Sequence, residues 1–220
     1  MRETYRVELE SVIEDLVSMS QDVQVAVRDS TRALLQADDA IAERVITEDE
    51  KLDRVADDIE HRCFSLLSLQ APVAGELRIV VSALRMVGEL ARMGDLAAHV
   101  AKVARLRYPE IAIPERLRPN FARMAEISEQ MVGTAGSTLR ARDVEMAETL
   151  AQNDEEMDDL RRSQFRLLLG DEWPYGVEAA VDVALLGRYY ERIADHAVSM
   201  GKRVIYVVTG AVPAGAAQWP

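Results

Sequence analysis

Apolar residues recur at alternating steps of four and three along much of the chain, which is the spacing of one face of an α-helix. One such stripe consists of Val45, Asp49, Leu52, Ala56, Ile59, Cys63 and Leu66. Another consists of Leu77, Val81, Leu84, Gly88, Ala91, Asp95 and Ala98, and the same steps displaced by 100 residues give Val177, Val181, Ala184, Arg188, Glu191, Asp195 and Val198. These stripes predict long amphipathic helices, and we expect each stripe to face the protein core.

The prolines lie between the periodic segments and not within them. They are Pro72, Pro109, Pro114, Pro119, Pro174, Pro213 and Pro220. Because proline breaks a helix interior but is tolerated in a first turn, the stretches 73–108 and 175–212 each predict one long helix. The other two proline-free stretches are too long for one helix. We expect each of them to turn where an aspartate can cap the second helix, at Asp38 and at Asp143.

The six predicted helices form a three-helix unit that occurs twice. Residues 34–53 match residues 139–158 at seven of twenty positions. At an offset of 100 residues, Arg92, Asp95, Ala97 and Lys102 fall on Arg192, Asp195, Ala197 and Lys202. The sequence therefore predicts an all-α fold of two tandem, pseudo-symmetric three-helix bundles. We assign residues 1–108 to the first bundle, 109–119 to a linker, 120–210 to the second bundle and 211–220 to a tail.

Composition and charge narrow the class of protein further. Glycine and proline are scarce, with 11 and 7 residues, while strong helix formers are abundant, as in all-α proteins. The net charge of −12 argues against nucleic acid or anionic lipid as the main partner. A single cysteine and the absence of a signal-peptide pattern predict a soluble, cytoplasmic protein. No apolar run approaches the roughly 20 residues of a membrane span, so direct membrane insertion is not expected.

Pairs of acidic residues four positions apart place two carboxylates side by side on a helix. The pairs of interest are Asp49 with Asp53, Asp154 with Asp158, and Glu191 with Asp195. Such pairs arise often by chance among 38 acidic residues, so the spacing alone indicates nothing. Their repetition at matching places on predicted core stripes indicates a bound cation, because buried like charges must be neutralised. Oxygen donors suit magnesium, manganese, calcium or iron, whereas zinc favours histidine or cysteine.

Two other interpretations of these acids remain open. Thr47 with Glu50 has the pattern of a capping box and Asn153 could be an N-cap, so the acids that follow could complement the dipole of a helix beginning there. Alternatively, Arg92 and Arg192, each three residues before an aspartate, could neutralise the carboxylates without a metal.

Two segments, together with the paired carboxylates, resemble the PhoU family, accessory regulators of the high-affinity bacterial phosphate transport system. The segments are LLSLQAPVAGELRIVVSALRMVGELARMGDLAAHVAKVARLRYPE at 66–110 and LLGRYYERIADHAVSMGKRVIYVVTG at 185–210. The resemblance covers about residues 3–210, and its stretches LQAPVAGELR and ERIADHAV are specific. It implies two pseudo-symmetric three-helix bundles, as the periodicity does.

The resemblance also implies a multinuclear metal site in each bundle, built from an acid-x-x-x-Asp motif on each of two helices. Carried over to this chain, the second site consists of Asp154, Asp158, Glu191 and Asp195, and the first of Asp49, Asp53 and Asp95. Ala91 stands at the position that matches Glu191, which removes one carboxylate and predicts weaker binding in the first bundle unless Glu89 or His99 contributes. The identity of the metal stays open between iron, manganese, magnesium and zinc.

By the same resemblance, the protein is expected to be an adaptor and not an enzyme. It would connect the ATP-binding subunit of the phosphate transporter to a sensor histidine kinase, as a negative regulator of phosphate-starvation genes and of uptake. We also expect a homodimer, which no motif encodes. The competing hypotheses are a metal-free helical scaffold and a ferritin-like di-metal carboxylate enzyme or iron store. The latter usually carries Glu-x-x-His motifs, and the nearest match in this chain is Asp58-x-x-His61.

Overall fold

The computed structural model describes residues 2–170 and 173–211, and these residues form long α-helices and one 3₁₀ turn without any β-strand. The helices are α1 (Arg2–Gln36), α2 (Asp39–Gln70), α3 (Ala74–Arg107), α4 (Arg118–Ala141), α5 (Val144–Leu168) and α6 (Gly176–Thr209). The 3₁₀ turn, Glu115–Leu117, leads into α4. The all-α fold and the six predicted helices are confirmed. Of the predicted tail 211–220, all but Ala211 lies outside the described residues.

Two short turns divide the long helical stretches at the aspartates that were expected to cap a helix. The Asp38 carboxylate accepts a hydrogen bond from the Ile41 N–H at 2.9 Å, and the Asp143 carboxylate accepts one from the Met146 N–H at 3.0 Å. Each aspartate thus satisfies one of the backbone donors that a helix leaves unpaired at its start. Because the two caps occupy equivalent positions in the two halves, the turns also support the predicted duplication.

Proline marks the helix boundaries as expected, with one difference at the linker. Pro119 occupies the first turn of α4, where its missing N–H leaves no helical hydrogen bond unmade. Pro72 and Pro174 lie in the connections that precede α3 and α6. Since α4 begins at Arg118, the last two residues of the predicted linker 109–119 are helical.

The helices pack as two bundles, α1 with α2 and α3, and α4 with α5 and α6. The bundles meet along two further pairs, α1 with α4 and α3 with α6. α3 and α6 run in opposite directions, because Glu89 bonds to His196 while Arg107, further along α3, bonds to Asp182, further back along α6; both distances are 2.6 Å. Among the described helices, none is both long and apolar enough to cross a membrane.

One side chain, Tyr190, joins helices of both bundles. Its ring is fully buried and packs against Phe121 of α4, with 6.2 Å between the ring centroids. Its hydroxyl lies 2.7 Å from the Thr31 hydroxyl of α1. Because the Thr31 hydroxyl donates its own hydrogen to the Val27 carbonyl, Tyr190 is the donor in this bond. Tyr190 therefore connects α1, α4 and α6 through packing and a buried hydrogen bond.

The second contact between bundles, α1 on α4, depends on a glycine. A Cβ atom at Gly136 would overlap the Ser20 hydroxyl, so only glycine allows the two helices to approach this closely. The Ser20 side chain is buried and donates to the Val17 carbonyl at 2.7 Å, which satisfies its hydroxyl inside the contact.

The predicted core stripes are correct for α2 and wrong for α3 and α6. On α2, the apolar members of the stripe are buried, and Asp49 at its edge is half-buried. On α3 the buried positions are shifted to the side of Val80, Val87 and Leu90, and of the predicted stripe only Ala98 is buried. The α6 stripe is likewise partly or fully exposed. Both helices are central and pack against three neighbours, so the predicted stripe is their outer flank beside α2 or α5.

Candidate metal-binding site

The first acidic seam, defined as Asp49, Asp53 and Asp95, lies along the groove between α2 and α3. The Asp49 side chain points toward α3, since a Cβ atom placed on Gly94 would lie 3.4 Å from its Oδ1. Burial raises the pKa of Asp49 above its usual value, and the negative charges of Asp95 and Asp53 raise it further. Asp53 and Asp95, which the sequence grouped with Asp49, therefore lie close enough for their charges to act on it.

The second acidic seam, defined as Asp154, Asp158, Glu191 and Asp195, lies at the equivalent place between α5 and α6. Burial raises the pKa of Asp154, and the charges of Asp195, Asp158 and Glu191 add to the effect in that order. Burial also raises the pKa of Asp195, which the positive charge of Arg188 partly offsets. The four predicted residues are thus brought to one seam, in which Asp154 and Glu191 are partly buried while Asp158 and Asp195 are exposed.

The two seams agree in their electrostatics as well as in their place in the fold. For the half-buried aspartate of each seam, the two strongest negative neighbours occupy equivalent positions: Asp95 and Asp53 act on Asp49, as Asp195 and Asp158 act on Asp154. The lysine whose positive charge opposes this effect is also equivalent, Lys102 in one seam and Lys202 in the other. The duplication therefore preserves an electrostatic arrangement and not only a sequence motif.

Neither seam is a closed ligand cage. Within residues 2–170 and 173–211, no three side chains of histidine, cysteine, aspartate or glutamate converge closely enough to hold one metal ion. The seams bring carboxylates together as neighbours, and an ion would have to draw them inward.

Glu191 differs from the other acids because its carboxylate is held by arginines. Its Oε2 accepts a 3.1 Å hydrogen bond from Nε of Arg161, and Nη1 of Arg188 lies 2.9 Å from its Oε1. Arg161 is buried, whereas Arg188 is half exposed. Whether Glu191 is a metal ligand, as the sequence suggested, stays a prediction.

The two alternative explanations of the acids have different outcomes. The helix-start explanation is wrong, because α2 and α5 run without interruption through Thr47 and Asn153. The arginine explanation holds in part, since Arg92 donates to Asp95 at 2.9 Å. Arg192 forms no such pair with a described residue, and Arg188 is the arginine near Asp195, at 3.9 Å.

The residues proposed to replace the missing carboxylate at Ala91 are engaged elsewhere. Glu89 faces the other bundle and lies 2.6 Å from Nδ1 of His196. The His99 Nδ1 lies 2.6 Å from the Asp95 carbonyl oxygen, and its ring rests against Tyr189. His99 still contributes positive character near Asp49, whose pKa it lowers slightly against the raising effects.

Sequence reasoning did not find the arginines that contact Glu191. A signal was present, because Arg161 interrupts the buried stripe of α5 where α2 has Ala56. A buried arginine requires an acidic partner. Here that partner is Glu191, which the sequence analysis had assigned as a metal ligand.

The raised pKa values make a testable prediction about metal-free protein. The folded state binds protons on Asp49, Asp154 and Asp195 at a higher pH than the unfolded state does, so their contribution to stability falls as pH rises through the raised pKa values. We expect the variant Asp49→Asn/Asp154→Asn/Asp195→Asn to be more stable than wild type at pH 7. The difference should shrink as pH falls toward the usual aspartate pKa of about 4. Urea denaturation at several pH values, after treatment with a chelator, measures the difference in stability between variant and wild type. A difference that grows on acidification would contradict the prediction.

Fold and site together define a class: duplicated all-α proteins of two three-helix bundles, each carrying an acidic seam at an equivalent place. The PhoU domain family matches residues 16–104 and 121–204, which covers most of both bundles. The chain belongs to the PhoU family.

Individual relatives match over nearly their whole length. The phosphate-specific transport system accessory protein PhoU homolog 2 of Mycobacterium tuberculosis is 46% identical over 97% of this chain and 100% of its own. PhoU homolog 1 of Mycobacterium leprae is 45% identical over 97% of this chain and 96% of its own. The crystal structure of PhoU from Pseudomonas aeruginosa, 29% identical, superposes with a TM-score of 0.88 and covers 94% of this chain and 100% of its own.

Proposed function

We propose that this chain is a non-catalytic accessory regulator of phosphate uptake and of phosphate-starvation signalling. The observation that carries the proposal is the match of the PhoU domain to both bundles. Relatives of similar length are named as accessory proteins of a phosphate-specific transport system, which supports the same role here. Rigid helical hairpins suit a docking function, which requires no catalytic residue.

An adaptor needs surfaces for its partners, and each bundle exposes three apolar side chains near the turn between its second and third helices; we call each group of three a patch. The first patch contains Phe64, Val73 and Leu77, and the second contains Leu169, Val177 and Val181; all six are at least 41% exposed. Exposed apolar patches often mark sites of protein–protein contact. Because α3 and α6 are antiparallel, the patches lie at opposite ends of helices about 50 Å long. We assign them to the ATP-binding subunit of the phosphate transporter and to a sensor histidine kinase, with this chain as the negative regulator.

Each acidic seam is proposed to bind a hard cation. The residues fit such an ion by their chemistry, since the donors are carboxylate oxygens. A cation would offset both their mutual repulsion and the free-energy cost of their partly buried negative charge. A bound ion would supply a fixed positive charge between the two helices of each hairpin. Iron, manganese and magnesium suit this donor set better than zinc does.

The adaptor role is tested by co-purification. We expect tagged protein to retain the ATP-binding subunit, the kinase, or both, in extracts from cells grown with or without phosphate. The paired variants Val73→Ser/Leu77→Ser and Val177→Ser/Val181→Ser each alter one exposed patch and leave the core intact, so each pair is the matched control for the other. We expect each pair to weaken a different partner. Retention of neither partner under any condition would contradict the proposal.

The competing hypotheses are a ferritin-like enzyme or iron store and a metal-free scaffold, and the observations argue only against the first. The family match and the names of the relatives favour a regulator over a ferritin-like enzyme or iron store. The metal-free scaffold differs from the proposed function only in the seams, so a metal measurement decides between them. The homodimer stays a prediction.

A further inference from the structure

The second bundle contains a charged pair where the first has two alanines. Arg161 on α5 bonds to Glu191 on α6 at 3.1 Å, and the Arg161 side chain is 8% exposed. At the offsets that align the two halves, 105 residues for α2 and α5 and 100 for α3 and α6, the equivalent positions are Ala56 and Ala91. The arginine and the glutamate are therefore present together in one half and absent together in the other.

Two neighbouring positions differ in the same concerted way. Gln164, whose Oε1 accepts a hydrogen bond from Arg161, is equivalent to Ile59, and Gly187 is equivalent to Val87. A Cβ atom at Gly187 would overlap the ends of both Arg161 and Gln164, so the glycine provides the space that these long polar side chains fill. In the first half, the equivalent Val87 and Ile59 are both apolar and buried.

The charges explain why Glu191 belongs to this group. A buried guanidinium without a counter-ion is costly, and removal of one partner of a buried ion pair is strongly destabilising. The remaining interactions of Arg161 are to neutral groups, the Gln164 amide oxygen, the Ala184 carbonyl at 3.4 Å and the ring of Phe165 at 4.4 Å. Since Arg188 contacts the other oxygen of Glu191, two guanidinium groups already balance this carboxylate.

We infer that Glu191 is the internal counter-ion of Arg161 and not a ligand of the second acidic seam, so that both seams offer a cation the same three aspartates. Ala91 then removes no ligand from the first seam, because the first bundle has no buried arginine to neutralise. The aspartates of the two seams, Asp49, Asp53 and Asp95 in one half and Asp154, Asp158 and Asp195 in the other, are then equivalent ligand sets. The part of this inference that concerns cations rests on the metal binding proposed for the seams.

A double-mutant cycle tests the ion pair independently of any metal. Glu191→Ala leaves the buried arginine unpaired and should lower the folding equilibrium constant by about 100-fold or more. Arg161→Ala/Glu191→Ala removes both charges and should lower the constant less than Glu191→Ala alone does, although Gly187 leaves the space of the arginine unfilled. Urea denaturation measures Glu191→Ala, Arg161→Ala and the double variant, with Glu155→Ala, an exposed acid on α5, as the control. Losses that simply add would overturn the inference.

Equilibrium dialysis against Mn²⁺ tests the ligand role, with the first seam disabled by Asp49→Asn/Asp53→Asn. We expect Arg161→Ala/Glu191→Ala in this background to bind Mn²⁺ within about threefold of the unaltered second seam, because loss of a true metal ligand costs far more. A folded double variant that has lost Mn²⁺ would overturn the inference. If wild type binds no Mn²⁺ in either seam, the metal proposal fails, whereas the cycle still decides the role of Glu191.

Discussion

Replacement of Tyr190 by alanine is expected to lower the free energy of unfolding by about 3–5 kcal/mol, as truncation of other buried aromatic side chains does. The ring is fully buried between the bundles, where it packs on Phe121, and its hydroxyl donates to Thr31. The variant therefore loses apolar burial, leaves a cavity and removes a contact that joins the two halves. Urea denaturation followed by circular dichroism measures the loss.

Two companion variants divide this effect into its parts. Tyr190→Phe keeps the ring and removes only the hydrogen bond to Thr31, so it should cost about 1 kcal/mol. Tyr189→Ala is the matched control, because this neighbouring ring is only half-buried. A loss in Tyr190→Ala no larger than that in Tyr189→Ala would show that the contact between bundles does not depend on this ring.

Protein purified without chelator is expected to contain metal, and removal of the aspartates of α2 and α5 should abolish it. In Asp49→Asn/Asp53→Asn/Asp154→Asn/Asp158→Asn, each seam keeps only its α3 or α6 carboxylates, too few oxygen donors for a hard cation. A ligand that binds only folded protein stabilises it by about 2.7 kcal/mol at 100 times its Kd. The fourfold variant should therefore lose both the metal, measured by elemental analysis, and the rise in Tm that added Mn²⁺ produces.

The distribution of the loss is as informative as its size. Asp49→Asn/Asp53→Asn should remove the metal bound in the first seam, and Asp154→Asn/Asp158→Asn the metal bound in the second. The two losses of metal should be equal if each seam offers three aspartates. Glu50→Gln/Glu155→Gln is the control, since these equivalent acids are exposed on the same two helices and adjoin the seam aspartates only in sequence. Metal retained by the fourfold variant would place the binding site elsewhere, and metal absent from wild type would favour a plain helical scaffold.

Local signals account for what the sequence predicted well. Asp38 and Asp143 cap helices through hydrogen bonds that span three residues, so the turns depend on the immediate sequence and were predicted correctly. The α2 stripe was also correct, because α2 lies at the edge of its bundle and buries one face. The proximity of Asp49 to Asp95 followed from two stripes that meet at the same groove.

The errors arose where burial depends on how many neighbours a helix has. α3 and α6 each contact three other helices, so small residues are buried over a wide arc and the periodic pattern no longer identifies one face. The predicted stripe with Asp95 or Asp195 was the outer flank of that arc. The contact between Arg161 and Glu191 could not be predicted from spacing within either helix, because it joins two helices across the bundle interior.

α1 and α4 are antiparallel, since Gly133 lies against Gln24 and Gly136 against Ser20. This pairing, together with the antiparallel pairing of α3 with α6, is the geometry of a symmetric pair of subunits held in one polypeptide. In an assembly of separate identical copies, every substitution would appear in both. A fused chain is free of that constraint, so one half could acquire a buried arginine and its glutamate while the other kept alanines. Because substitutions in one half need not occur in the other, the patches at the two ends of the molecule can also diverge to bind different partners.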